Sequence, residues 1–74
     1  MRKTSFILVE SLIVDRFPIN ESVLELVFFI MQGGEVPAIH VQKVNDGWKV
    51  MDGRHRACAY KLLGKTEILA KYAA

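Results

Sequence analysis

"VMDGRHRACAYKLLGK", residues 50–65, decides how this chain reads. Its first residues close a strand, Asp52 or Gly53 opens a helix, and Gly64 ends that helix after Leu62 and Leu63. Arg54, His55 and Arg56 therefore fall on the first turn of the helix. The first N–H groups of a helix lack partners within it, and aligned peptide dipoles leave about half a positive charge there. Three basic side chains at that end are unfavourable unless an anion joins them. Phosphate meets both needs, because it accepts the free N–H groups and pairs with guanidiniums. Glycine at position 53 lets such a ligand approach the backbone.

Gly53, Arg54, His55 and Arg56 are thus candidate phosphate-binding residues, with the two arginines as clamps and His55 as a donor. A second reading stands beside this one. Either arginine is solvated or pairs with Asp52 or Glu67, and Asp52 serves as the helix N-cap. His55 shares a helical face with Cys58, Ala59 and Leu62, which suits a satisfied histidine at the edge of a core. His55 and Cys58 also stand one turn apart. With His40 the only other member of the Cys and His set, no closed zinc site is expected.

Working outward, "WKVM" is the return strand of a hairpin whose turn is "NDG", Asn45–Gly47, and whose first strand is "PAIHVQKV", Pro37–Val44. "TEILAKYA" is a last strand. At the other end "SFILV", Ser5–Val9, reads as a strand, and "ESLIVDRFPIN" turns, since Pro18 disfavours helix at Phe17. Asn20 is a good N-cap for a helix running from Glu21 through "ESVLELVFFIMQ" to Gly33-Gly34. The order strand, helix, strand, strand, helix, strand predicts an α+β fold. It is a small mixed sheet with two main helices on one side, each covering part of the sheet, in one domain over residues 1–74. Between Val23 and Met31 only Glu25 is polar, so the first helix is apolar all round. Either a few of these side chains stay exposed, or Phe28 and Phe29 with their neighbours form a homodimer or partner surface.

The chain has 74 residues, 51% of them hydrophobic, and a net charge of +2. Its mean hydropathy is +0.20. These values suit a folded globule with a thin core and exclude disorder. They also fall short of the Lys/Arg density of a dedicated nucleic-acid binder. One cysteine rules out an intramolecular disulfide. The longest apolar run, Leu26–Met31, is far shorter than the ~20 residues that span a bilayer. A cytoplasmic protein without membrane partners is the expectation.

The segment "DGRHRACAYKLLGKTEILAKY", preceded by "VPAIHV" and the hairpin "NDGWKVM", resembles the ParB/sulfiredoxin superfamily, also called the ParB-like nuclease domain. The likeness runs from the first strand to the last and is most specific at Gly53–Arg56. In sulfiredoxins a glycine-cysteine-histidine-arginine run occupies this place. In free-serine kinases of the superfamily it is close to "DGHHR", and in ParB proteins it is a glycine- and arginine-rich box. The resemblance implies that Gly53, His55 and Arg56 hold nucleotide phosphates, with ATP or CTP as the nucleotide and Mg2+ as its companion. Arg16, in the "VDRFPI" turn, is a candidate third clamp.

Three departures temper the likeness. Arg54 stands where sulfiredoxins carry their nucleophile, so reduction of cysteine sulfinic acid is not expected. Cys58 lies one turn further on and reads as a small buried hydrophobe. Where sulfiredoxins turn polar side chains of the first helix to the nucleotide, this chain offers Ser22, Glu25 and Phe29. ParB proteins carry a DNA-reading helical domain beyond this module, so partition activity by these residues alone is not expected. Phosphoryl transfer, NTP hydrolysis or nuclease action would need a base or metal-holding carboxylates. Asp52 is nearest the clamps, and no pair of carboxylates stands out. The leading expectation is a nucleotide- or phosphate-binding domain. The alternative is a non-catalytic protein-interaction or DNA-associated regulatory module that works through its apolar first helix.

Overall fold

Along the last strand, Ile68 and Ala70 are buried between the exposed Glu67 and Lys71, so one face of the sheet turns inward. The computed structural model describes residues 1–73. Its elements are β1 (Arg2–Leu8), a 3-10 turn (Val9–Ser11), β2 (Leu12–Ile13), α1 (Glu21–Met31), β3 (Ile39–Val44), β4 (Gly47–Asp52), α2 (Arg54–Leu62) and β5 (Glu67–Ala73). The five strands form one mixed sheet in the order β1-β5-β3-β4-β2. The strand last in sequence is thereby placed between β1, which it pairs antiparallel, and β3, which it pairs parallel. The α+β class with a mixed sheet and two helices is as the sequence implies.

Several boundaries differ from that reading. β1 starts at Arg2 and stops at Leu8, where the Ser11 hydroxyl donates to the Leu8 carbonyl at 2.6 Å and the chain coils into the 3-10 turn. Leu12 and Ile13, read as part of a turn, pair parallel with Trp48 and Lys49. β3 begins at Ile39, two residues after Pro37, which has no N–H to give the ladder. The hairpin turns at Asn45-Asp46 as expected. Its ladder is irregular between His40 and Val41, so Met51 stands between the partners Val50 and Asp52.

The two helices do not share the sheet. The main core joins Ile7, Ile39, Val41, Val50, Ile68 and Ala70 of the strands with Ala57 of α2. A second cluster joins Val23 of α1 with Cys58 and Ala59 of α2, packed round by Leu26, Val27 and Ile30. α2 is therefore the middle layer and α1 stacks on its far side. The cause lies in "ACA", residues 57–59, whose small side chains let α2 be buried on two faces at once. Phe17 packs against both clusters and ties the layers together. The Lys61 ammonium lies 4.5 Å from the centre of its ring.

Helix ends follow local chemistry. The Asn20 Oδ1 accepts the Val23 N–H at 3.2 Å and caps α1. At the other end the Gly34 N–H reaches the Phe29 carbonyl and the Gly33 N–H the Ile30 carbonyl, with Gly33 at a φ of 87°. That pair of bonds is a Schellman closure. α2 ends in the same way, through Lys65 to Tyr60 and Gly64 to Lys61. On the outer side of α1, Leu24, Phe28 and Met31 are 49%, 63% and 65% exposed and form one stripe. No helix among the described residues is long and apolar enough to cross a membrane.

Asn20 also meets α2, since its Nδ2 lies 3.3 Å from the His55 Nε2. Replacing it by alanine removes a cap and a link between the two helices. Asn20→Ala is expected to lower the unfolding free energy by about 1–2 kcal/mol, read from urea denaturation curves.

Candidate functional site

The loop from β4 into α2 is one residue long, and that residue is Gly53, at a φ of 102°. A left-handed backbone there costs any side chain more than it costs glycine. Space also excludes one, because a Cβ would stand 2.6 Å from the Ile39 Cγ2. Gly53, not Asp52, is the N-cap of α2, and no side chain caps this helix. Its first internal bond is the Ala57 N–H to the Gly53 carbonyl at 2.9 Å. The amides of Arg54, His55 and Arg56 are therefore without helical acceptors.

Five of the six candidate residues meet here. Asp52, Gly53, Arg54, His55 and Arg56 line one open cleft of about 450 Å3, together with Leu26 and Met51. Arg16 does not line it; it is exposed in the loop between β2 and α1. Ser22, Glu25 and Phe29 do not reach the cleft either, and Leu26 is the α1 residue that does. Phe29 lies at the far end of α1, against Gly34.

The basic residues have different tasks. Arg56 is turned inward. Its Nη1 donates to the carbonyls of Pro37 at 3.0 Å and Ala38 at 3.2 Å, and its Nη2 to the Asp52 Oδ2 at 3.4 Å. Its side chain is 20% exposed against 73% for Asp52, so the two carbonyls matter more than the solvated ion pair. His55 is linked to α1. Because the Asn20 Oδ1 is occupied by the Val23 N–H, the Asn20 Nδ2 donates and the His55 Nε2 accepts. The ring therefore carries its hydrogen on Nδ1. Arg54 is exposed, and no hydrogen bond or ion pair holds its guanidinium among the described residues.

Cys58 is buried against α1, and that burial pushes its thiol up from the ordinary value of 9.0, with Lys61 offsetting part of the rise. Among the described residues no three His, Cys, Asp or Glu side chains gather as metal ligands. Leu26 and Met51 carried no sequence signal for the site. Leu26 is one apolar residue among many in α1, and Met51 reaches the cleft because of the irregular ladder beside it.

Exchanging the two arginines for alanine separates structure from function. Arg56→Ala leaves two carbonyls without their donor and should cost about 1–3 kcal/mol of stability. Arg54→Ala should leave the denaturation midpoint unchanged. Equal midpoints for both variants would contradict the internal role of Arg56.

The fold has known relatives. The structure of sulfiredoxin from Arabidopsis thaliana superposes with a TM-score of 0.80 at 25% identity, covering 96% of this chain and 84% of that one. A conserved hypothetical protein from Pyrococcus furiosus gives a TM-score of 0.85 at 15% identity, covering 96% of this chain but 32% of its own. The C-terminally truncated chromosome-partitioning protein ParB from Caulobacter crescentus, in complex with CTP-γ-S, gives 0.77 at 16% identity, with 96% and 44% covered. The chain thus spans less than half of the Pyrococcus and Caulobacter proteins. No curated protein matches its sequence. The profile of the ParB N-terminal domain matches residues 8–74, nearly the whole chain and all of the cleft's lining. By that match, with the five-stranded sheet and the glycine-led α2 behind it, the chain belongs to the ParB N-terminal domain family.

Proposed function

We propose that this domain binds the phosphates of a nucleotide in the cleft at the start of α2. One observation carries the reading: three unpartnered amides and an uncommitted guanidinium, Arg54, face a common space beside a glycine that lets a ligand touch the backbone. The His55 imidazole adds a third kind of donor through Nδ1. Arg56 serves from behind by fixing the helix start, and Asp52 helps to hold Arg56. Arg16 is left as an outer residue that an ordered ligand would have to recruit. The sulfiredoxin likeness and the CTP-γ-S complex of the Caulobacter protein support a nucleotide as ligand.

The proposal is binding rather than catalysis. Phosphoryl transfer, NTP hydrolysis and nuclease cleavage each ask for a base or for carboxylates that hold a metal. The cleft offers one carboxylate, Asp52, already engaged by Arg56. Mg2+ would therefore arrive on the nucleotide's own phosphates.

Calorimetric titration with CTP, ATP, ADP and GTP, with and without Mg2+, tests this. Saturable binding of at least one nucleotide is expected, weakened roughly ten- to a hundredfold by Arg54→Ala. The absence of saturable heat with all four would end the proposal.

A second reading rests on the exposed stripe of Leu24, Phe28 and Met31. An apolar strip on an outermost helix suits a homodimer or a protein partner. Sedimentation would show a concentration-dependent dimer that Phe28→Glu abolishes. A monomer at every concentration leaves this surface to a different protein.

A further inference from the structure

Among the described residues no helix covers the sheet's second face, since α2 packs on the face of Ile39 and Ala70 and α1 packs on α2. Register puts Phe6 beside Leu69, and Lys71 beside both Thr4 and His40, on the side away from the buried Ile7 and Ile68. Phe6 is 66% exposed there. Past the pair His40↔Lys71, β3 and β5 share no further register partners. The gap is a groove of about 300 Å3 lined by Arg2, His40, Lys71 and Met51 among others. Met51 also lines the α2 cleft, and a third cleft that holds Lys49 and Arg54. The three hollows thus meet at one side chain.

The lining of the first groove carries Arg2, Lys71 and His40 and no carboxylate. By register, the strand residues pointing outward include Arg2, Lys49 and Lys71, with His40. The outward acids of the strands are Glu67, one diagonal step from Phe6 on the side away from Lys71, and Asp52, which Arg56 holds, while Asp15 lines the third cleft with Lys49 and Arg54. No ion pair among the described residues involves Arg2, Lys49 or Lys71. A second copy of this chain docked face to face would set these cations against one another. An anionic partner would not.

We propose that the open sheet face binds single-stranded nucleic acid. The cations of the groove follow the phosphates, and Phe6, one diagonal step from Lys71, offers its ring to a base. Unstacked bases on an aromatic-bearing sheet are a general mode of single-strand recognition. Around Met51 the same strand reaches the start of α2. The site goes beyond the nucleotide reading of that cleft and does not require it.

Fluorescence anisotropy with labelled oligothymidylate and oligouridylate of about 10 nucleotides tests the proposal. Both should bind, and a preference between them assigns DNA or RNA. With three lysine or arginine contacts, log K should fall with log salt at a slope of about −2. Phe6→Ala should weaken binding about five- to a hundredfold. Lys71→Gln should flatten the slope by about 0.7. Both positions are exposed, so circular dichroism should be unchanged, and CTP titrations should be unaffected. Failure of the wild type to bind either oligonucleotide overturns the proposal. So does binding indifferent to both substitutions, or tighter binding of a polyglutamate chain, which would point to an acidic protein partner. Loss of the CTP signal with retained oligonucleotide binding counts against the α2 reading alone.

Discussion

The guanidinium of Arg56 joins three parts of the molecule that sequence keeps far apart. It satisfies the carbonyls of Pro37 and Ala38, where the chain has left α1 and not yet entered the β3 ladder. It grips the end of β4 through Asp52, and it belongs to the first turn of α2. Gly53 makes this geometry attainable, since its bare backbone lies against Ile39, a fully buried residue. A cation at the positive end of a helix is unfavourable by itself. Here backbone carbonyls offset that cost, so the charge stabilises the fold without waiting for a ligand. The neighbouring amides and the Arg54 guanidinium have no partner among the described residues. The same short run of residues thus ties the fold together and lines the cleft.

What sequence made legible was mostly local. Asn20 as a cap, Gly33 and Gly64 as helix stops, and the Asn45-Asp46 turn each act within a few residues, and each stands where the pattern placed it. The glycine and basic run at residues 53–56 likewise came together in a cleft with Asp52. The misread features depend on distant partners. Leu12 and Ile13 become a strand only because β4 passes beside them. α1 rests on α2 rather than on the sheet because Ala57, Cys58 and Ala59 leave room on two sides, a volume effect that helical periodicity does not report. Nothing near Arg56 in sequence announces the carbonyls that it serves, 18 and 19 residues away.

The divided roles of the basic residues also bear on the family likeness. Arg54, beside the glycine that starts α2, is a cation open to solvent. The one thiol, Cys58, is sealed between helices, and its burial disfavours the thiolate that any cysteine chemistry would need. His55 adds a mechanical element, since its ring connects the floor of the cleft to the cap of α1.

That layered stacking sets an order in which the molecule opens. α1 is held by Val23 and its neighbours against Cys58 and Ala59, while the five strands and Ala57 form a separate cluster beneath. Backbone amides of α1 should therefore exchange with deuterium through a partial excursion that leaves the sheet amides protected. The domain thus has an outer shell, α1, over a separate core, and the cleft lies along the seam between α1 and α2.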